Sequence, residues 1–169
     1  MTEGTKMHLA EFNIGTLKYD WDDPRVADFL NNLDRVYDIA RRSPGYVWHL
    51  EGDDMEAAQL DPDGPLGGNP RTASTLSVWK DVESLHAFTF NTVHKQFYDR
   101  KGEWYDPDQG LRFVMWWVPA RHKPTVEEAL DRFHHLENHG NTDHAFGWDH
   151  IRSRAGRGGG LCGDQNENA

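Results

Sequence analysis

The chain of 169 residues has a single cysteine, Cys162, which stands in a Gly-rich stretch near the end. No intrachain disulfide, Cys-based zinc site or core thiol nucleophile can be assembled from it. No apolar run approaches membrane-spanning length, and the start, MTEGTKMHLAEF, lacks the unbroken apolar core of a signal peptide. A cytoplasmic location is the expectation. Positive charge is also scarce: 18 Lys and Arg against 28 Asp and Glu give a formal charge of -10, with no basic stripe except near the end. Nucleic-acid phosphates would be repelled by such a surface, so no nucleic acid and no membrane is expected as a partner. GxSxG, a phosphate-binding Gly loop and a dinucleotide fingerprint are all missing, which argues against acyl-serine, nucleotide and hydride chemistry.

Aromatics are what the chain has in excess: seven Trp, eight Phe and five Tyr, together with ten His. Such side chains fill cores and also wall ligand pockets, so their positions have to separate the two uses.

Residues 7–17, MHLAEFNIGTL, alternate: Ala10, Phe12 and Ile14 share one face, Leu9, Glu11 and Asn13 the other. That pattern predicts a first strand. Asp22 or Asp23 offers an N-cap and Pro24 a first helical position, and Val26, Phe29, Leu30, Leu33, Val36, Tyr37 and Ala40 recur at steps of three and four until RRSPG. YVWHL reads as a second strand. Residues 51–71, with DPDGPLGGNP, read as a long loop that is either a flap over a site or disordered. ASTLSVW resumes strand character, residues 81–101 predict one helix with Leu85, Phe88, Val93 and Phe97 inward, and RFVMWWV is a fourth strand ending at Pro119. The order is that of an α+β, ferredoxin-like split β-α-β domain with a four-stranded antiparallel sheet. KPTVEEALDRFHHLENHG adds a C-terminal helix with a capping-box pattern at Thr125 and Glu128. Residues 1–150 form the expected domain; residues 151–169, rich in Gly, Arg and polar side chains, are expected to be a disordered tail.

The last strand is apolar on both faces, Phe113, Met115 and Trp117 against Val114, Trp116 and Val118. Its second face needs cover, from another copy in a homodimer or from the C-terminal helix folding back. His94, with Phe90 and Phe97 at helical spacing, is a half-buried imidazole suited to acid–base work or iron ligation, or a core-edge residue bonded to a carbonyl. Arg100 and Glu103 beside Trp104 are an oxyanion-holding pair or a solvated salt bridge. Glu11 and Asn13 are polar anchors if their strand face looks into a cavity. His49, Trp79, Trp117 and His122 complete the candidate walls and rim. His135 and His139 have metal-ligand spacing, but third and fourth ligands would have to come from His144 or Asp143, and no metal site is expected.

The segments HLAEFNI, DDPRVADF, SPGYVWHL, SVWKDVESLHAF, HKQFYDRKGEW, MWWVPARHKPTVEEALDRFHHLENHG and HAFGW together resemble the bacterial domain-of-unknown-function family 3291, of the dimeric α+β-barrel superfamily to which antibiotic-biosynthesis monooxygenases belong. Arg121 departs from that pattern, which favours Gly there. The resemblance implies two ferredoxin-like subunits packed through their sheets, forming a dimeric α+β barrel, each with a cavity between sheet and helices. It also implies cofactor-independent monooxygenase, isomerase or cyclase chemistry on an aromatic or polyketide-like metabolite of secondary metabolism. On that reading His94, Arg100 and Asn13 are catalytic, Glu11, His49, Trp79, Glu103, Trp104, Trp117 and His122 bind substrate, and no cofactor is needed. The alternatives are a haem enzyme, in which Trp79, Glu83 and His94 mirror the haem-degrading members and His94 is the axial ligand, and a non-catalytic ligand-binding module.

Overall fold

The computed structural model describes residues 4–109 and 111–152. Strands β1 (Met7–Thr16), β2 (Tyr46–His49), β3 (Thr72–Trp79) and β4 (Arg112–Pro119) form one antiparallel sheet in the order β2-β3-β1-β4, the ferredoxin-like order. Glu11 faces Ser77 on one side and Met115 on the other, and Ser77 faces His49. His49, Ser77 and Glu11 therefore stand in one row on the same face, because directly paired residues project to the same side. Asn13 and Thr75 make the next row.

Both long helices expected between the strands are broken. The first is a 3-10 turn (Pro24–Val26), α1 (Ala27–Asn31) and α2 (Leu33–Arg42), and Asp23 caps the turn by accepting from the Arg25 amide at 2.9 Å. Asn32 interrupts it, its amide donating to the Asp28 carbonyl at 2.7 Å in competition with the backbone ladder. Instead of a featureless 51–71 loop there is α3 (Gly52–Leu60). The second expected helix is α4 (Val82–Asn91), α5 (His94–Asp99) and α6 (Lys101–Trp104). Thr92 makes the first break: its backbone is extended, its hydroxyl donates to the Phe88 carbonyl at 2.6 Å and accepts from the His94 amide at 3.2 Å. Phe90 and His94 thus do not share one continuous helix face.

One face of the sheet, with Leu9, Trp79 and Met115, packs on Ala40 of α2 and on Leu85 and Phe88 of α4. The other, with Ala10, Phe12, Leu76, Val78, Val114, Trp116 and Val118, is covered by Met55 of α3 and by Val126, Ala129 and Phe133 of α7 (Val126–His139). Thr125 caps α7, accepting from the Glu128 amide at 3.1 Å. Of the two covers the sequence leaves open for the second apolar face, a second copy or the C-terminal helix, the helix supplies it together with α3. The segment before Trp148 is pinned to the outer edge of β4, where Phe146 and Met115 exchange backbone hydrogen bonds of 2.8 and 3.0 Å. A helical turn follows at 148–152, and the expected tail lies, from residue 153 on, outside the described residues.

Candidate functional site

A cavity of about 210 Å³ lies between the Glu11 face of the sheet and α1, α2, α4, α5 and α6. The strands give it a polar wall of Glu11, Asn13, Thr75, Ser77 and His49, and the helices an apolar one that includes Val36, Phe88, Phe97 and Trp104.

Glu11 is buried at 5% exposure, with the Ser77 hydroxyl donating to it at 2.7 Å, the Thr75 hydroxyl at 3.4 Å and the Asn13 amide at 3.3 Å. Burial penalises its charge more than these donors relieve it, and its carboxyl is pushed up to about 7. Ser77 is itself oriented by the Trp79 indole, which donates to its hydroxyl oxygen at 2.9 Å. His94 bonds the Thr89 carbonyl through Nδ1 at 3.1 Å. A carbonyl only accepts, so Nδ1 carries the proton and Nε2 keeps its lone pair. Burial holds His94 below the ordinary imidazole range and hence neutral. His49 is buried, its Nδ1 against the Tyr46 hydroxyl at 2.6 Å and its ring stacked on Tyr37 at 4.6 Å, and burial lowers its pKa as well.

Of the residues named from sequence, Glu11, Asn13, His49, Trp79, His94 and Trp104 line this one cavity. Arg100, Glu103, Trp117 and His122 are not among its walls. Arg100 and Glu103 are exposed at the joint of α5 and α6, paired with each other and, for Arg100, with Asp28 at 3.2 Å. The Arg100 guanidinium lies exposed, 4.7 Å from the Trp104 ring. Trp117 packs against Phe146 at 6.3 Å, and His122 is an exposed turn residue held by Glu128 at 3.0 Å. Arg121 is likewise exposed and off the cavity wall. Thr75, Ser77, Tyr37 and Tyr105 also line the cavity and were not expected from sequence. Thr75 and Ser77 had a signal, polar residues alternating with Leu76 and Val78 beside Trp79; Tyr37 was hidden in an apolar helical stripe, and Tyr105 has no local signature.

Haem does not fit this cavity. Pockets for drug-sized ligands run to roughly 300–1,000 Å³, whereas this one has about 210 Å³, and among the described residues Lys101 is the only Lys or Arg in its wall to meet two carboxylates. One or two fused rings are the size it suits. The His135, His139 and His144 rings cluster at 4.5 Å, but among the described residues no His, Cys, Asp or Glu group is arranged to hold a metal ion.

No curated protein matches the chain. Among solved structures it is similar to a protein of unknown function from Nitrosomonas europaea, with 13% identity and a TM-score of 0.47 over 72% of this chain and 99% of that one. It is similar also to a conserved protein from Methanosarcina mazei, at 16% identity and a TM-score of 0.43 over 64% and 91% of the two chains. SnoaB, a cofactor-independent oxygenase from Streptomyces nogalater, shares 15% identity and a TM-score of 0.37 over 69% and 95%. Residues 8–158 match the family described as domain of unknown function DUF3291, and because that match spans most of the sequence, the chain belongs to this family.

Proposed function

We propose that the protein is an enzyme that takes a proton from carbon in a small, neutral, ring-bearing carbonyl compound, with Glu11 as the base. The observation that carries this reading is the Glu11 carboxyl, buried in the wall of an aromatic cavity with its pKa pushed up to about 7. A base poised there takes protons most effectively near neutral pH. In the step itself the substrate C–H bond breaks, its proton joins a Glu11 oxygen, and the electron pair moves onto the carbonyl oxygen to give an enolate. Asn13 and Ser77 hold the carboxylate in place, and neutral His94 is the second proton carrier.

Enolate formation is the shared first step of isomerisation, of cyclisation onto a second carbonyl, and of oxygenation in which O2 reacts with the enolate without a cofactor. An aromatic or polyketide-like metabolite matches the apolar wall. All these groups come from one chain, so the reading needs no second copy at the site.

The test is hydrogen exchange at carbon in D2O with 2-tetralone, 1-indanone and 1-tetralone, followed by NMR. The wild-type protein should accelerate exchange of at least one, with a rate that climbs through about pH 7 as Glu11 ionises. Glu11→Gln should lose at least a hundredfold while keeping its fold. If all three ketones exchange at the buffer rate, or if Glu11→Gln matches wild type, the proposal fails.

A further inference from the structure

We infer that Tyr37 and Tyr105 are the hydrogen-bond donors that hold the substrate oxygen once it becomes an oxyanion, an inference that rests on the enolate-forming reading above. Both line the cavity with Glu11, and among the described residues neither hydroxyl makes a hydrogen bond. Each phenol O–H is therefore available to donate to a ligand oxygen that enters the cavity.

Their placement is built in. Tyr105 lies against Gly15, the position two beyond Asn13 and four beyond Glu11 on the same face of β1. A Cβ at Gly15 would come within 2.5 Å of Tyr105 Cδ1 and 2.7 Å of Cε1, so only glycine lets that ring lie on the strand. Phe29 meets it edge-on at 5.9 Å. Tyr37 comes from α2, its ring stacked on His49 two strands away from β1. The two phenols share the cavity wall with Glu11, where charge on Glu11 acts on Tyr37 and charge on Tyr37 acts on Tyr105. Burial pushes Tyr37 up to about 12 and Tyr105 higher still, so both remain O–H donors across the working pH range. Donors already in place on the wall of a largely apolar cavity stabilise charge that develops on oxygen and need little rearrangement as it forms.

The ligand class follows. The site takes a neutral compound whose one ionising oxygen becomes a phenolate-like or enolate anion, and it disfavours a carboxylate, since Glu11 already supplies negative charge. The probes are naphthalene, 2-naphthol and the more acidic 6-cyano-2-naphthol, titrated into Glu11→Gln protein, in which glutamine stands in for the protonated base. Bound 6-cyano-2-naphthol should show the absorption of its anion and bind at least tenfold tighter than naphthalene. Adding Tyr37→Phe or Tyr105→Phe should each cut that ratio at least fivefold and leave naphthalene binding unchanged. Either Phe variant that keeps the full ratio, or loses naphthalene and naphthol binding equally, overturns the pair.

The two readings fail separately. If wild type exchanges no ketone but naphtholate binding depends on the tyrosines, the base falls and the oxyanion site stands. If exchange depends on Glu11 but runs at the wild-type rate in both Phe variants, the tyrosine pair falls and the base stands.

Discussion

Glu11 sits in a fold that would be more stable without its charge. An unfolded glutamate ionises at about 4.5, whereas the buried carboxyl holds its proton to about 7, so between those values the folded chain binds more protons than the unfolded one. Stability therefore falls as pH rises through that window and levels off above it. A shift of that size is on the order of 3 kcal/mol. Thermal or urea unfolding of wild type and Glu11→Gln at pH 5 and pH 8 isolates it: the stability of the variant relative to wild type should grow with pH. His94 works the opposite way, since a neutral buried imidazole loses stability as pH falls below 6.5, but it is common to both proteins and cancels. A constant difference across the range would show that Glu11 is not held protonated by the fold. The strand parity that puts Glu11 beside Asn13 was legible in HLAEFNI. What could not be read was which sheet face looks into a cavity, because burial on both faces leaves Leu9 and Ala10 equally apolar. Arg100 was misplaced for a related reason: helical spacing brings it near Trp104, but the ionised guanidinium stays exposed to water, where Asp28 and Glu103 meet it.

Among the elements, strand number, order and the position of α7 were all readable from period and capping, whereas helix continuity was not. Asn32 and Thr92 each turn a side chain back onto the carbonyl four residues earlier, an alternative to the helical ladder that apolar spacing does not register. The break at Thr92 is what starts a new helix at His94 and lets the imidazole reach the Thr89 carbonyl. Residues 52–60 were missed as a helix because the Gly- and Pro-rich stretch after them dominated the reading; α3 instead buries Met55 and Gln59 on the side of the sheet away from the cavity, where Gln59 accepts from the Ser74 amide at 2.9 Å. One side chain in the loop after β4 works against its own backbone. In the Pro119–His122 turn, closed by the His122 amide on the Pro119 carbonyl at 3.0 Å, the third residue has φ of 74°, and that residue is Arg121. Glycine suits such a position, as in a type II turn. A side chain there costs roughly 1–2 kcal/mol, against about 0.5–1 kcal/mol of extra chain entropy lost by glycine. Arg121→Gly should therefore stabilise the fold by up to about 1 kcal/mol, read as a higher urea midpoint with an unchanged slope, and a lower midpoint would contradict the strained turn.

For the molecule as a whole, the two-faced apolar sheet is the feature on which a barrel of two subunits would depend. Packing sheet against sheet requires a face left bare by its own chain. Here Ala10, Phe12, Val114 and Trp116 are each at 0% exposure under α3 and α7, so a second copy would have to displace both helices to reach them. Among the described residues, the large apolar side chains left exposed, Met7, Leu30, Val47 and Leu60, come from four different elements rather than one patch. A stable homodimer interface covers about 800 Å² per partner around an apolar centre, which such isolated side chains do not provide. Sedimentation equilibrium should accordingly give the mass of one 19.5 kDa chain at micromolar concentration. The role of α7 in that result can be separated from its role in folding. Arg112 and Glu137 tie β4 to the outer side of the helix at 2.9 Å, whereas Ala129, at 0% exposure, and Phe133 fill its contact with the sheet. Phe133→Ala should cost about 3–5 kcal/mol as a core truncation, and it should loosen the cover, so that self-association rises only in the variant. A wild-type chain that sediments at twice its mass would mean that α7 leaves the sheet in solution or that another surface carries the contact, and hydrogen exchange along 126–139 tells these apart: fast exchange for the first, strong protection for the second.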